Sequence, residues 1–145
     1  MDIELSRVDY IRGGLTKPKC LKILPLLPGS GKSQQRVALG DAEGVLQVFS
    51  LKKKEISFAF KTLPVAHPVS RLELGGALGT LKDKIFVSLG NEVKGYSKKG
   101  KLFLDFETNL TEAIGSMSIS GSDLVVCGRH VYNHYRDCRD INHYL

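Results

Sequence analysis

FAFKTL at residues 58–63 and LDFETNL at residues 104–110 are each followed by a similar apolar, strand-like stretch. The recurrence marks an internal repeat of two or more sheet units, and such a repeat points to a circular array of blades rather than to a self-contained enzyme. With 145 residues, the chain is expected to be too short to close a usual ring.

Outward from these two phrases, nearly the whole chain reads as short strands. β-Branched and aromatic residues alternate with glycine, proline and polar turns. Segments 21–24, 36–39, 45–49 and 55–60 make one four-stranded unit, and segments 69–74, 84–89, 93–96 and 102–106 make the next. A third unit begins with 114–119, 123–126 and 130–135 and looks unfinished. From Arg36 to Lys84 is 48 residues and from Lys84 to Asp123 is 39, which brackets a propeller blade.

The expected architecture is therefore all-β: a partial β-propeller with WD40-like blades of four antiparallel strands, spanning 1–145 as an amino-terminal fragment. Residues 1–19 are read as closing strand and linker, 20–63 as the first blade, 64–110 as the second and 111–145 as an incomplete third. Segment 3–10 is predicted to be a strand without a hairpin partner, of the kind that supplies the outer edge of a last blade and closes a ring. The turns fit this layout. GDAEG at 40–44 and GNE at 90–92 place glycine or asparagine where a tight hairpin needs positive φ. An eleven-stranded sandwich or barrel would also give short strands and glycine turns. A helical fold is disfavoured, because no long 3.6-residue periodicity runs free of glycine or proline.

Composition narrows the class further. Apolar residues make up 42% of the chain, enough for a real core, which argues against disorder or a disulfide-stapled miniprotein. Three cysteines, Cys20, Cys127 and Cys138, form no even framework, and no secretory leader precedes them, so a reducing intracellular compartment is expected. The longest uncharged stretches end well short of the roughly 18 residues a spanning helix needs. No transmembrane segment is expected. A net charge of +6 favours acidic partners, whether protein, anionic membrane or nucleic acid.

Topology sorts that charge. In an antiparallel blade the first-to-second and third-to-fourth connections share one end. Lys32 and Arg36, Lys52, Lys53 and Lys54, Lys82 and Lys84, and Lys98, Lys99 and Lys101 all fall at or beside it. Asp41, Glu43, Glu92 and Glu112 fall in connections at the other end. The inference is a bipolar disc with a basic interaction face for an acidic subunit or lipid headgroups. The competing reading is that the lysines only keep edge turns soluble and unpaired.

The chemical motifs are imitations. PGSGKS at 28–33 resembles the end of a phosphate loop, but the full pattern needs glycine where Leu26 stands, and QQRVALGD after it reads as strand rather than helix. Cys127, His130, His134, Cys138 and His143 are zinc-donor types. On a strand, however, His130 and His134 lie roughly 13 Å apart, too far for joint coordination. Asp105 and Glu107 both point outward from one strand with nothing to raise a pKa, and His67 has no nucleophile at motif spacing. Tyr96 is the only aromatic among the lysines of the second unit, and no zinc finger, glycine-rich RNA loop or helix-turn-helix pattern appears, so no nucleic acid is expected. No catalytic, cofactor-binding or metal residue is assigned. Leu72, Leu74, Val87, Phe103 and Ile119 are read as blade packing.

LSRVDY at 5–10, FKTLP at 60–64, RLELGG at 71–76, FETNLTE at 106–112, SISGSDL at 118–124 and YNHYRDC at 132–138 resemble, in order, the amino-terminal region of the Bardet-Biedl syndrome 7 family. The resemblance covers essentially all 145 residues and includes no catalytic motif. It implies part of that family's amino-terminal β-propeller, in a longer protein that continues through further blades, a coiled coil and an appendage-like region. It further implies a noncatalytic subunit of the BBSome, a coat-like adaptor that carries membrane-protein cargo into, within and out of cilia and supports ciliogenesis. Recruitment to membrane is through a small Arf-like GTPase. The implied partners are Bardet-Biedl subunits 2 and 9 and chaperonin-like assembly factors, with membrane cargo met indirectly. The implied locations are cytoplasm, cilium, ciliary basal body and centriolar satellites, peripheral at the ciliary membrane. An alternative is a free-standing β-rich module for acidic proteins or anionic lipid headgroups. A small hydrolase comes third and would need a concave site with a nucleophile and a base.

Overall fold

Alternation of apolar and polar residues makes each of these segments a strand with one face to bury, and glycine turns fold consecutive strands against each other. The computed structural model describes residues 2–26, 34–52, 55–76, 78–136 and 138. The first sheet contains β1 (Leu21–Ile23), β2 (Arg36–Gly40), β3 (Leu46–Lys52) and β4 (Glu55–Lys61). The second contains β5 (Val69–Gly75), β6 (Lys84–Leu89), β7 (Glu92–Tyr96) and β8 (Leu102–Glu107). The third contains β9 (Ser116–Ser120), β10 (Asp123–Cys127) and β11 (Tyr132–Tyr135). Within each sheet the strands pair antiparallel in chain order, and no helix occurs among the described residues.

The architecture is all-β and blade-like, three separate sheets rather than one eleven-stranded sandwich or barrel, and they do not close on one another. They stack through two apolar seams. Leu46, Val48, Leu72, Ile85 and Val87 fill the seam between the first and second sheets, with Leu74 beside them. Phe86, Val93, Leu104, Leu124 and Val126 fill the seam between the second and third, flanked by Phe103 and Ile119. Edge-on ring pairs add directional contact there: Phe86 with Phe103 at 5.5 Å and Phe106 with Tyr135 at 5.0 Å between centroids. The second sheet is thus apolar on both faces and covered on both.

Two glycines of the GDAEG turn act differently. Gly44 has φ +77°, the left-handed conformation the hairpin requires. Gly40 has no such φ. A Cβ there would lie 2.4 Å from Val69 Cγ1, so the missing side chain lets the first sheet close on β5. The same junction carries polar ties: Leu72 N donates to Lys19 O at 3.1 Å, and Cys20 Sγ lies 3.4 Å from Val69 O. Within the second sheet the hydroxyls of Ser70 and Ser88 sit 2.7 Å apart, buried beside the irregularity at Val69/Arg71.

Two expected strands differ from the structure. Segment 3–10 joins no sheet among the described residues and is exposed, because suitable composition makes a strand only where a backbone ladder pairs with it. The chain first touches the first sheet after this segment, where Gly13 meets Leu39 and Ala42 N donates to Leu15 O at 2.7 Å. Ile114 was expected inside a strand. It is buried in the loop before β9, its N–H donating to Gly90 O at 2.8 Å.

Candidate functional site

The β1–β2, β5–β6 and β7–β8 connections meet at one end of the sheet stack around an open cleft of about 300 Å³. Arg36, Lys98 and Lys99 line it, with Asp83 and the apolar side chains of Leu24, Leu26 and Leu81. Arg36 opens β2 and is half-buried, and its Nη1 donates to Lys98 O in the neighbouring sheet at 3.2 Å. It is a tether as well as a charge. Lys98 Nζ lies 3.6 Å from Asp83 Oδ2, while Lys99 is exposed.

The remaining basic candidates scatter. Lys82 and Lys101 are exposed beside the cleft without lining it. Lys84 turns to the other flank of the second sheet, where its Nζ stands 5.7 Å from the centre of the Phe103 ring, a cation over an aromatic face. Lys52 ends β3, and Lys32, Lys53 and Lys54 lie outside the described residues. Asp83 also lies at this end and offsets part of its positive charge.

At the opposite end two of the four acids build turns. Asp41 is buried and its Oδ1 accepts the amides of Glu43 and Val45 at 2.9 and 3.0 Å, closing the β2–β3 hairpin. Glu112 Oε1 accepts the His130 amide at 2.9 Å, which holds its carboxyl below the usual range, with the nearby imidazole a smaller contributor. Glu43 is exposed and Glu92 half-buried.

The other donor groups are dispersed. His130 faces Glu112, His134 Nε2 lies 3.3 Å from Asp123 Oδ2, and Cys20, Cys127 and Cys138 form no disulfide with one another. Burial pushes the Cys20 thiol up, away from thiolate chemistry. Among the described residues no cluster of three or more metal-ligating side chains forms, and His143 and PGSGKS lie outside those residues. Asp105 pairs across the ladder with Lys94, Glu107 with Glu92, and His67 rests beside Gly90. Sequence reasoning missed Asp83 and the leucine wall. Their only signal was position in connections that topology brings together.

Residues 21–145 match the family model described as BBS7 beta-propeller. The chain belongs to that family. A mouse relative of the BBS7 propeller, named BBSome complex member BBS7, is 50% identical over 145 residues, covering 100% of this chain and 20% of the relative. A Caenorhabditis elegans relative, BBSome complex member bbs-7, is 38% identical over 141 residues, covering 97% of this chain and 19% of the relative. The chain spans about one fifth of the length of both relatives. Membership in the BBS7 propeller family accounts for the repeat: each blade-like sheet has apolar faces that only a neighbouring sheet can cover.

Proposed function

We propose that this chain is a propeller-forming part of a noncatalytic BBSome subunit and works by presenting a rigid surface to other proteins. The observation that carries the reading is the 50% identity, sustained over the whole chain, to a mouse protein named as a BBSome complex member. On this reading residues 1–19 form a linker and ring-closing strand, 20–63 and 64–110 two blades, and 111–145 part of a third. The anchoring of Gly13 and Leu15 at the first sheet supports that role, since it leaves segment 3–10 exposed beside the sheet that a neighbouring blade would meet. The biological task is ciliary membrane-protein trafficking and ciliogenesis, at the cilium and basal body. Bardet-Biedl subunits 2 and 9 are direct partners, chaperonin-like factors assist assembly, and no cofactor takes part.

The test is size-exclusion chromatography with light scattering, on the chain alone and with purified subunit 2. Aggregation alone with a defined complex together is the expected outcome. A soluble monomer that ignores the partner would sink this reading. A second reading, a basic end that contacts acidic protein or anionic headgroups, is favoured by the cleft of Arg36, Lys98 and Lys99.

A further inference from the structure

We infer that the cleft between the first and second sheets is a docking site for an acidic, leucine-rich peptide segment of a partner protein. The inference deepens the reading of the basic end as a contact surface and does not depend on the BBSome assignment. Two properties of the cleft choose the ligand. Its charge is three cations, Arg36, Lys98 and Lys99, against the single carboxylate of Asp83, so a carboxylate-bearing ligand is favoured. Its wall is apolar: Leu24 is buried, Leu81 half-buried, and Leu26 is 48% exposed, a large surface for an aliphatic side chain to cover.

Depth separates a peptide from a lipid surface. Arg36 is half-buried and held by the Lys98 carbonyl at 3.2 Å, at the meeting of two sheets rather than on a convex rim. A flat layer of headgroups meets exposed lysines but does not enter a recess, whereas an extended peptide places successive side chains into one. The volume, about 300 Å³, lies at the small end of ligand clefts and suits a few side chains rather than a folded element. Arg36 is also preorganised: its bond to Lys98 O fixes part of the guanidinium before any ligand arrives, which lowers the entropic cost of pairing with a carboxylate.

The experiment measures fluorescence anisotropy of a labelled Glu-Leu-Glu-Leu-Glu-Leu peptide with the full chain, kept below the concentration at which light scattering shows it to aggregate, beside a Gln-Leu control peptide and vesicles of phosphatidylserine and phosphatidylcholine. Lys99→Glu, an exposed cleft residue, should weaken peptide binding about tenfold, whereas Lys101→Glu, exposed at the same end but outside the cleft, should change it less than about twofold. Leu26→Ser should weaken it about threefold through lost apolar contact. Equal losses from Lys99→Glu and Lys101→Glu would overturn the cleft while leaving the basic end a diffuse contact surface. Vesicle binding without peptide binding would overturn the peptide in favour of a membrane. Failure of both probes at about millimolar peptide, where even weak recognition registers, would overturn the cleft and the contact surface together.

Discussion

The outer face of the first sheet and the outer face of the third differ in how apolar they are. On the first, Leu21, Ile23 and Phe58 are 56%, 53% and 54% exposed and lie over Val37, Leu39 and Phe49, with Phe49 and Phe58 edge-on at 6.0 Å. On the third, Ser116, Ser118 and Ser120 alternate along β9, and His134 meets Asp123 across the neighbouring strands. Stacked repeats need apolar residues on every face that meets a neighbour and polar ones where a face meets water. The first sheet thus resembles the second, apolar on both sides, whereas the third mixes these polar groups with Val125, Cys127 and the 69%-exposed Tyr132 on one face. Contact with a further sheet is written into the first outer face.

Substitutions can break this comparison or sharpen it. The scale is set by the covered face: Leu72→Ala, in the seam between the first two sheets, should cost about 2–5 kcal/mol, read as a lower urea midpoint. On the uncovered face, the pair Ile23→Ser and Phe58→Ser should cost under about 2 kcal/mol together, because much of their area already meets water. The pair should also reduce self-association in light scattering. A loss as large as that of Leu72→Ala would show that this face is covered in solution, and the contrast between sheets would fall. Ser118→Leu, on the outer face of the third sheet, should stay within about 0.5 kcal/mol but raise self-association toward that of the first face. Unchanged scattering would mean that the serine face is already covered.

The smallest effect concerns the turn that supports the third sheet. Because the Glu112 carboxyl is held below its usual range in the folded protein, its contribution to stability is present above the ordinary carboxylate range and is lost as pH falls through the lowered value. The His130 amide resonance should follow that titration, and in Glu112→Gln the pH-dependent step should vanish. An amide shift that persists in the variant would assign the step to another group.

How much of this was legible in the chain depends on the range of the forces involved. FAFKTL and LDFETNL mark β4 and β8 with their neighbours because alternation is a local property, and segment 84–89 was placed to the residue. Segment 3–10 misled for the same reason: its composition suits a strand, but strand formation depends on a neighbour that no local pattern supplies. Half of the cleft was legible. Lys98 and Lys99 stood out as charges at one end, whereas Asp83 and the leucine wall did not, since they lie in connections separated by roughly fifty residues of sequence.

By itself, then, the sequence determined an all-β repeat, the order of its strands and which turns need glycine. These follow from side-chain alternation, backbone sterics and antiparallel connectivity, all of which act within a hairpin. Only the tertiary structure decided that Arg36 ties one sheet to the Lys98 carbonyl of the next, that Lys84 leaves the basic end for the Phe103 ring, and that one outer face is more apolar than the other. Those facts depend on which sheet faces lie against each other, and burial between distant segments settles that where no local rule reaches.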